Sequence, residues 1–199
     1  NGGTYQMKIH GFASACEFEV AEQTESRVTF VLRDNEVTRA QFPFAFLFKV
    51  RYALKESTVE VTYTVDNPED EMLHFGLGGH PGFNVPLKEG TSFEDYYLRF
   101  SQPCEPDRVG FSSEILVSGV DKRYELEGGQ IIRLRHDLFD HDAIVLKNMA
   151  KSVTIASDKT KRYVTVSYPQ MPYVGFWHAE RKDAPYVCIE PWVSLPARD

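Results

Sequence analysis

Leu47-Phe-Lys-Val-Arg-Tyr-Ala53 and Thr58-Val-Glu-Val-Thr-Tyr-Thr-Val65 set the fold class of this chain. Both alternate with period two and are rich in β-branched and aromatic residues, the pattern of half-buried strands. Working outward, Arg27-Val-Thr-Phe-Val-Leu-Arg33 alternates in the same way. The texture returns in Tyr96 to Phe100, Gln130 to Leu134, Ala143 to Leu146, Ser152 to Ala156, Tyr163 to Tyr168 and Tyr186 to Ile189. Turn chemistry punctuates these runs at Asp66-Asn-Pro-Glu-Asp70, Glu127-Gly-Gly129 and Ser157-Asp-Lys-Thr160. No long segment carries a 3.6-residue apolar period. About ten short strands separated by turns predict an all-β antiparallel sandwich rather than βαβ units. With no repeat, low-complexity tract or linker to divide it, residues 1–199 read as one domain.

Composition narrows the function classes. The chain has 199 residues, enough for one substantial core, and 42% are hydrophobic, including 14 Phe and 10 Tyr. Net charge is −7 with Lys and Arg scattered, so the field repels nucleic acid and anionic membranes, and neither is expected as a partner. The longest apolar stretch, Phe42 to Val50, is interrupted by Pro43 and Lys49 and is too short for a membrane helix. The opening Asn1-Gly-Gly-Thr-Tyr5 has neither a basic n-region nor an apolar h-region, so no signal peptide is expected there. It also lacks an initiator Met, which points to a fragment or a processed product. Cys16, Cys104 and Cys188 are odd in number and far apart, which excludes a zinc ribbon or thioredoxin-like motif. Buried thiols in a reducing compartment, the cytoplasm, are expected instead.

Two segments concentrate acid-base chemistry. Phe75-Gly-Leu-Gly-Gly-His80-Pro-Gly-Phe-Asn-Val-Pro86 holds four glycines, expected to take positive φ and bring backbone close to a ligand. It is not a dinucleotide loop, because Pro81 and Pro86 follow where a helix would have to begin. His80 at its centre, with Pro81 biasing it toward extended backbone, is a candidate acid. In Tyr186-Val-Cys-Ile-Glu190-Pro-Trp192, Glu190 ends an apolar strand. Lost solvation there should raise its pKa and suit it to act as a base; the plainer alternative is a strand-end ion pair, for instance with Arg181.

A third segment, His136-Asp137-Leu-Phe-Asp140-His141-Asp142, packs two His and three Asp into seven residues. Successive residues would point different ways and no metal-ligand spacing is present, so no metal is expected. Asp142, just before a strand, is read as an acceptor for ligand hydroxyls. His10-Gly-Phe-Ala13 is a weak motif by itself. Nucleophile constellations and P-loops are absent. A set of His, Glu, Asp and aromatics suits a neutral, hydroxyl-rich ligand.

Taken in order, His10-Gly-Phe-Ala13, Gly78-Gly-His80-Pro-Gly-Phe-Asn-Val-Pro86, Leu138-Phe-Asp-His-Asp-Ala143 and Cys188-Ile-Glu190-Pro-Trp192 resemble the aldose 1-epimerase (galactose mutarotase-like) superfamily, and within it the LacX-type branch, related to glucose-6-phosphate 1-epimerases. The resemblance spans nearly the whole chain. It implies a β-supersandwich, His80 as catalytic acid, Glu190 as catalytic base, and His10, Asp142 and Trp177 at the sugar. It implies a hexose substrate and no cofactor, and it allows a homodimer. Ser14 stands where members commonly have Arg after H-G-F-A, which makes phosphorylated substrates less expected. Members also carry further strands before that motif, so the chain is expected to be N-terminally truncated. Three rivals frame the tests: a non-catalytic carbohydrate binder on the same scaffold, a metal-dependent β-sandwich or cupin-like enzyme built on His136, His141 and their aspartates, and an interaction module.

Overall fold

The computed structural model describes residues 3–198; Asn1 and Gly2, part of the segment read for a leader, lie outside the described residues, as does Asp199. The chain gathers into two compact units, one ending at Phe75 and one starting at Gly76, each described by itself.

In the N-terminal unit, β1 (Glu19–Gln23), β2 (Arg27–Arg33), β3 (Leu47–Lys55) and β4 (Thr58–Asp66) form an antiparallel sheet in sequence order. The β3–β4 register sets Phe48 opposite Val65, Val50 opposite Tyr63 and Tyr52 opposite Val61, so the alternation seen in sequence becomes one apolar face. The other face carries cross-strand ion pairs, Lys49 to Asp66 at 2.6 Å and Arg51 to Glu60 at 3.3 Å. Between β2 and β3 a single helical turn, α1 (Glu36–Arg39), is held by Asn35, whose side chain accepts from the Val37 and Thr38 amides.

Among the described residues the C-terminal unit contains ten strands: β5 (Gly82–Asn84), β6 (Tyr97–Phe100), β7 (Asp107–Arg108), β8 (Lys122–Arg123), β9 (Ile131–Arg133), β10 (Ile144–Lys147), β11 (Ser152–Ala156), β12 (Val164–Ser167), β13 (Tyr173–Trp177) and β14 (Tyr186–Trp192). They make two antiparallel sheets, β5-β14-β13-β10-β7-β8 and β12-β11-β6-β9. Leu98, Phe100, Val153 and Ile155 from the four-stranded sheet and Ile144, Leu146, Val174, Phe176, Val187 and Ile189 from the six-stranded one are all 2% exposed or less and share one core. Each such side chain contributes roughly 1.5–3 kcal/mol of hydrophobic stabilisation. The all-β antiparallel architecture is as expected.

All nine strands read from sequence are present, and β1, β5, β7, β8 and β13 are additional. β5, β7 and β8 have two or three residues, too few for a periodic signal. β13, Tyr173-Val-Gly-Phe-Trp177, has Val174 and Phe176 in the core and two aromatics on its other face. With apolar groups on both faces it shows no alternation. No helix among the described residues is long and apolar enough to cross a membrane, and all three cysteines are free thiols.

Candidate active site

The site is built on one face of the six-stranded sheet, and strand register assembles it. Gly82 lies opposite Cys188 and Asn84 opposite Tyr186 in the β5–β14 pair, and a bridge sets Gly78 opposite Trp192. This is one continuous register, in which His80 falls directly across from Glu190. Backbone bonds on either side hold it there: the Gly79 amide donates to the Pro191 carbonyl at 3.0 Å and the Ile189 amide to the Pro81 carbonyl at 3.2 Å. Pro81 has no N–H to offer, and the stretch needs only its carbonyl at that position. On the other side of β14, Gly175 lies opposite Glu190 and Trp177 opposite Cys188. Strand alternation then places His80, Cys188, Glu190, Trp192 and Trp177 on one face while Val187 and Ile189 enter the core.

His80 Nε2 lies 3.2 Å from Glu190 Oε1. The histidine side chain is 44% exposed and the glutamate 3%, so the pair has an open side and a closed side. Burial raises the Glu190 carboxyl to about 7, the charge of Asp142 adds to the rise, and a hydrogen bond from the Trp192 side chain pulls it partly back. The ion pair with Arg181 weighed from sequence is not formed among the described residues; His80 occupies that place. Cys188 is also buried, and burial, aided by the Glu190 charge, pushes its thiol up to about 12, leaving it a neutral neighbour.

The positive φ expected of the glycines around His80 is not found at three of them. Gly76, Gly78 and Gly82 do not have positive φ. A Cβ on Gly78 would stand 2.5 Å from Trp192 Cδ1, and one on Gly175 3.2 Å from its Cζ2. The Trp192 indole lies against both glycines, close to Glu190. At Gly78 and Gly175 the close approach of a side chain, not backbone conformation, calls for glycine.

Trp177 meets His80 edge-on, ring centroids 5.6 Å apart, and also touches Tyr186 at 6.2 Å. Asp142 sits just before β10 at φ 70°, its carboxylate accepting from the Ala143 amide at 2.7 Å. His80, Glu190, Trp177 and Asp142 thus belong to one unit and one neighbourhood, whereas His10, at φ 68°, belongs to the N-terminal unit.

The His136–Asp142 run does not converge. His136 stacks on Phe93 at 4.1 Å and its Nδ1 faces Nε2 of the fully buried His178 at 3.1 Å. His178 Nδ1 lies 2.8 Å from the Ala179 carbonyl, which can only accept, so Nδ1 carries the proton and Nε2 accepts from His136. Burial holds His178 below the usual histidine range, consistent with this neutral form. Asp137 is engaged by Arg135 at 2.9 Å. Sequence reading missed His178, a lone histidine after an aromatic run, and the role of Trp192 beside Glu190.

Comparison with known proteins places the chain in a family. The aldose 1-epimerase family model matches residues 1–195. Protein LacX (chromosomal) of Lactococcus lactis subsp. lactis is 33% identical over 193 residues, which cover 95% of this chain and 64% of LacX. A galactose mutarotase related enzyme from Lactobacillus acidophilus superposes with TM-score 0.91 at 36% identity, covering 100% of this chain and 66% of that one. A galactose mutarotase-like protein from Lactobacillus casei ATCC 334 gives TM-score 0.87 at 34% identity, covering 100% of this chain and 69% of that one. The chain therefore spans about two thirds of the length of these relatives, and across that span it has their fold. It belongs to the aldose 1-epimerase family.

Proposed function

We propose that this protein is an aldose 1-epimerase that interconverts the α and β anomers of a hexose, with Glu190 as base and His80 as acid. A cyclic hemiacetal changes anomer by ring opening, rotation about the C1–C2 bond and reclosure. Opening removes a proton from the C1 hydroxyl and delivers one to the ring oxygen as the C1–ring-oxygen bond breaks. Both oxygens are bonded to the same carbon, so the two protein groups must lie within a few ångströms of each other. The observation that carries the reading is the 3.2 Å separation of His80 Nε2 and Glu190 Oε1, the carboxylate buried and the imidazole open to a ligand. In the proposed cycle ionised Glu190 takes the hydroxyl proton and protonated His80 supplies the ring oxygen; after rotation each transfer runs in reverse. Trp177 offers an aromatic face to the sugar C–H surface, and Asp142 holds its hydroxyls.

The same proposal takes residues 1–199 as one carbohydrate-active domain, cytoplasmic, requiring no cofactor, with a small sugar as partner; light scattering would reveal the homodimer the sequence allows. Polarimetry of freshly dissolved glucose and galactose tests the function. Glu190→Gln and His80→Asn should each lower the enzyme-dependent rate by about 10²–10⁴-fold. Wild-type protein that binds sugar by calorimetry yet leaves mutarotation at the buffer rate would favour the non-catalytic binder.

A further inference from the structure

We propose that His80, Cys188 and Glu190 together form an inhibitory site for a soft divalent cation of the zinc class. One nitrogen of His80, the sulfur of Cys188 and one oxygen of Glu190 all lie within 4.8 Å of one another. Tetrahedral zinc, with Zn–S near 2.3 Å and Zn–N and Zn–O near 2.0–2.2 Å, needs its ligand atoms roughly 3.3–3.6 Å apart. The His80–Glu190 edge is already 3.2 Å, and the other edges, within 4.8 Å, have at most roughly 1.2 Å to close.

The donor set selects the ion. Magnesium and calcium favour all-oxygen shells, whereas a thiolate, an imidazole and a carboxylate together suit zinc and its thiophilic relatives. Accessibility gives the site a direction. Cys188 and Glu190 are buried beneath His80, which is the exposed member. An ion enters from the His80 side and keeps its fourth position toward solvent. Binding releases the Cys188 thiol proton to water, along with any proton held by Glu190 or His80, so affinity rises with pH. Coordination occupies the lone pairs that the proposed epimerase needs, and catalysis stops. Inhibition rests on that functional reading; binding does not.

Cobalt(II) is the probe, because a thiolate ligand gives it a sulfur-to-metal charge-transfer band and a tetrahedral site gives it intense visible absorption. Titrating the full chain should produce both at one equivalent, and zinc should bleach them. Cys188→Ser should lose the charge-transfer band and bind zinc roughly tenfold or more weakly by calorimetry, about 1.4 kcal/mol or more. Whatever mutarotase rate it keeps should no longer respond to zinc. A Cys16→Ser/Cys104→Ser double variant should keep the band, which guards against Cys188→Ser failing to fold. Absence of the band in wild type, its survival in Cys188→Ser or its loss in the double variant would overturn the site. A band that forms in a protein without mutarotase activity would uphold the site and count against the epimerase.

Discussion

Glu190→Gln should cost activity and gain stability, and the stability gain should depend on pH in a defined way. Burial lifts the carboxyl from 4.5 to about 7. The folded chain then binds more protons than the unfolded chain between those values, so stability falls as pH rises through this window. Below about pH 4.5 the carboxyl is neutral in both states and nothing is lost. Above about pH 7 the loss is complete, and 1.36 kcal/mol per pKa unit puts it at about 3 kcal/mol. Gln has the same shape and cannot ionise. Relative to wild type, the variant should gain stability progressively from about pH 4.5 to about pH 7, on top of a constant offset from its altered bond with Trp192. Urea unfolding followed by tryptophan fluorescence reads this directly, since Trp177 meets His80 edge-on and the Trp192 side chain hydrogen-bonds Glu190. The same preparation, assayed by polarimetry, should have lost about 10²–10⁴-fold in rate. Parallel stability curves for the two proteins across this range would refute the claim that ionised Glu190 is held against a burial cost. Full activity would refute its role as base.

Further expectations concern neighbouring groups. Because the base must be ionised, wild-type activity should rise with pH through about 7. Asp142→Asn removes a like charge that raises Glu190, so the midpoint of that rise should move to lower pH while KM for the sugar increases; Asn tolerates the φ of 70° at this position. Gly78→Ala places a methyl 2.5 Å from Trp192 Cδ1. The indole must move, tryptophan emission should shift, and displacement by about 1 Å should lower kcat/KM by about 10²-fold; unchanged emission and rate would show that the indole has room. Gly110→Ala would drive its Cβ into the Val120 carbonyl oxygen, a clash with backbone that cannot rotate away. It should destabilise by about 1–3 kcal/mol in urea titrations without altering the pH profile of activity.

Much of this molecule could be read from residue order alone. Alternation in Arg27–Arg33, Leu47–Lys55 and Thr58–Asp66 marks strands because burying one face of a pleated segment requires period two. His80 and Glu190 stood out because a histidine among glycines and prolines, and a carboxylate ending an apolar strand, are each unusual for local reasons. What residue order does not encode is the partner of each segment. The register that sets Gly78 against Trp192 and Gly82 against Cys188 joins residues more than a hundred positions apart. Only that pairing brings imidazole and carboxylate to 3.2 Å, and only it explains why Gly78 must lack a side chain. The half-buried His136–His178 contact arises in the same way, from packing of distant segments around Phe93 and Phe139. Local pattern determines which segments extend and which face they bury; long-range hydrogen bonding and core packing, which no local window contains, decided which side chains meet.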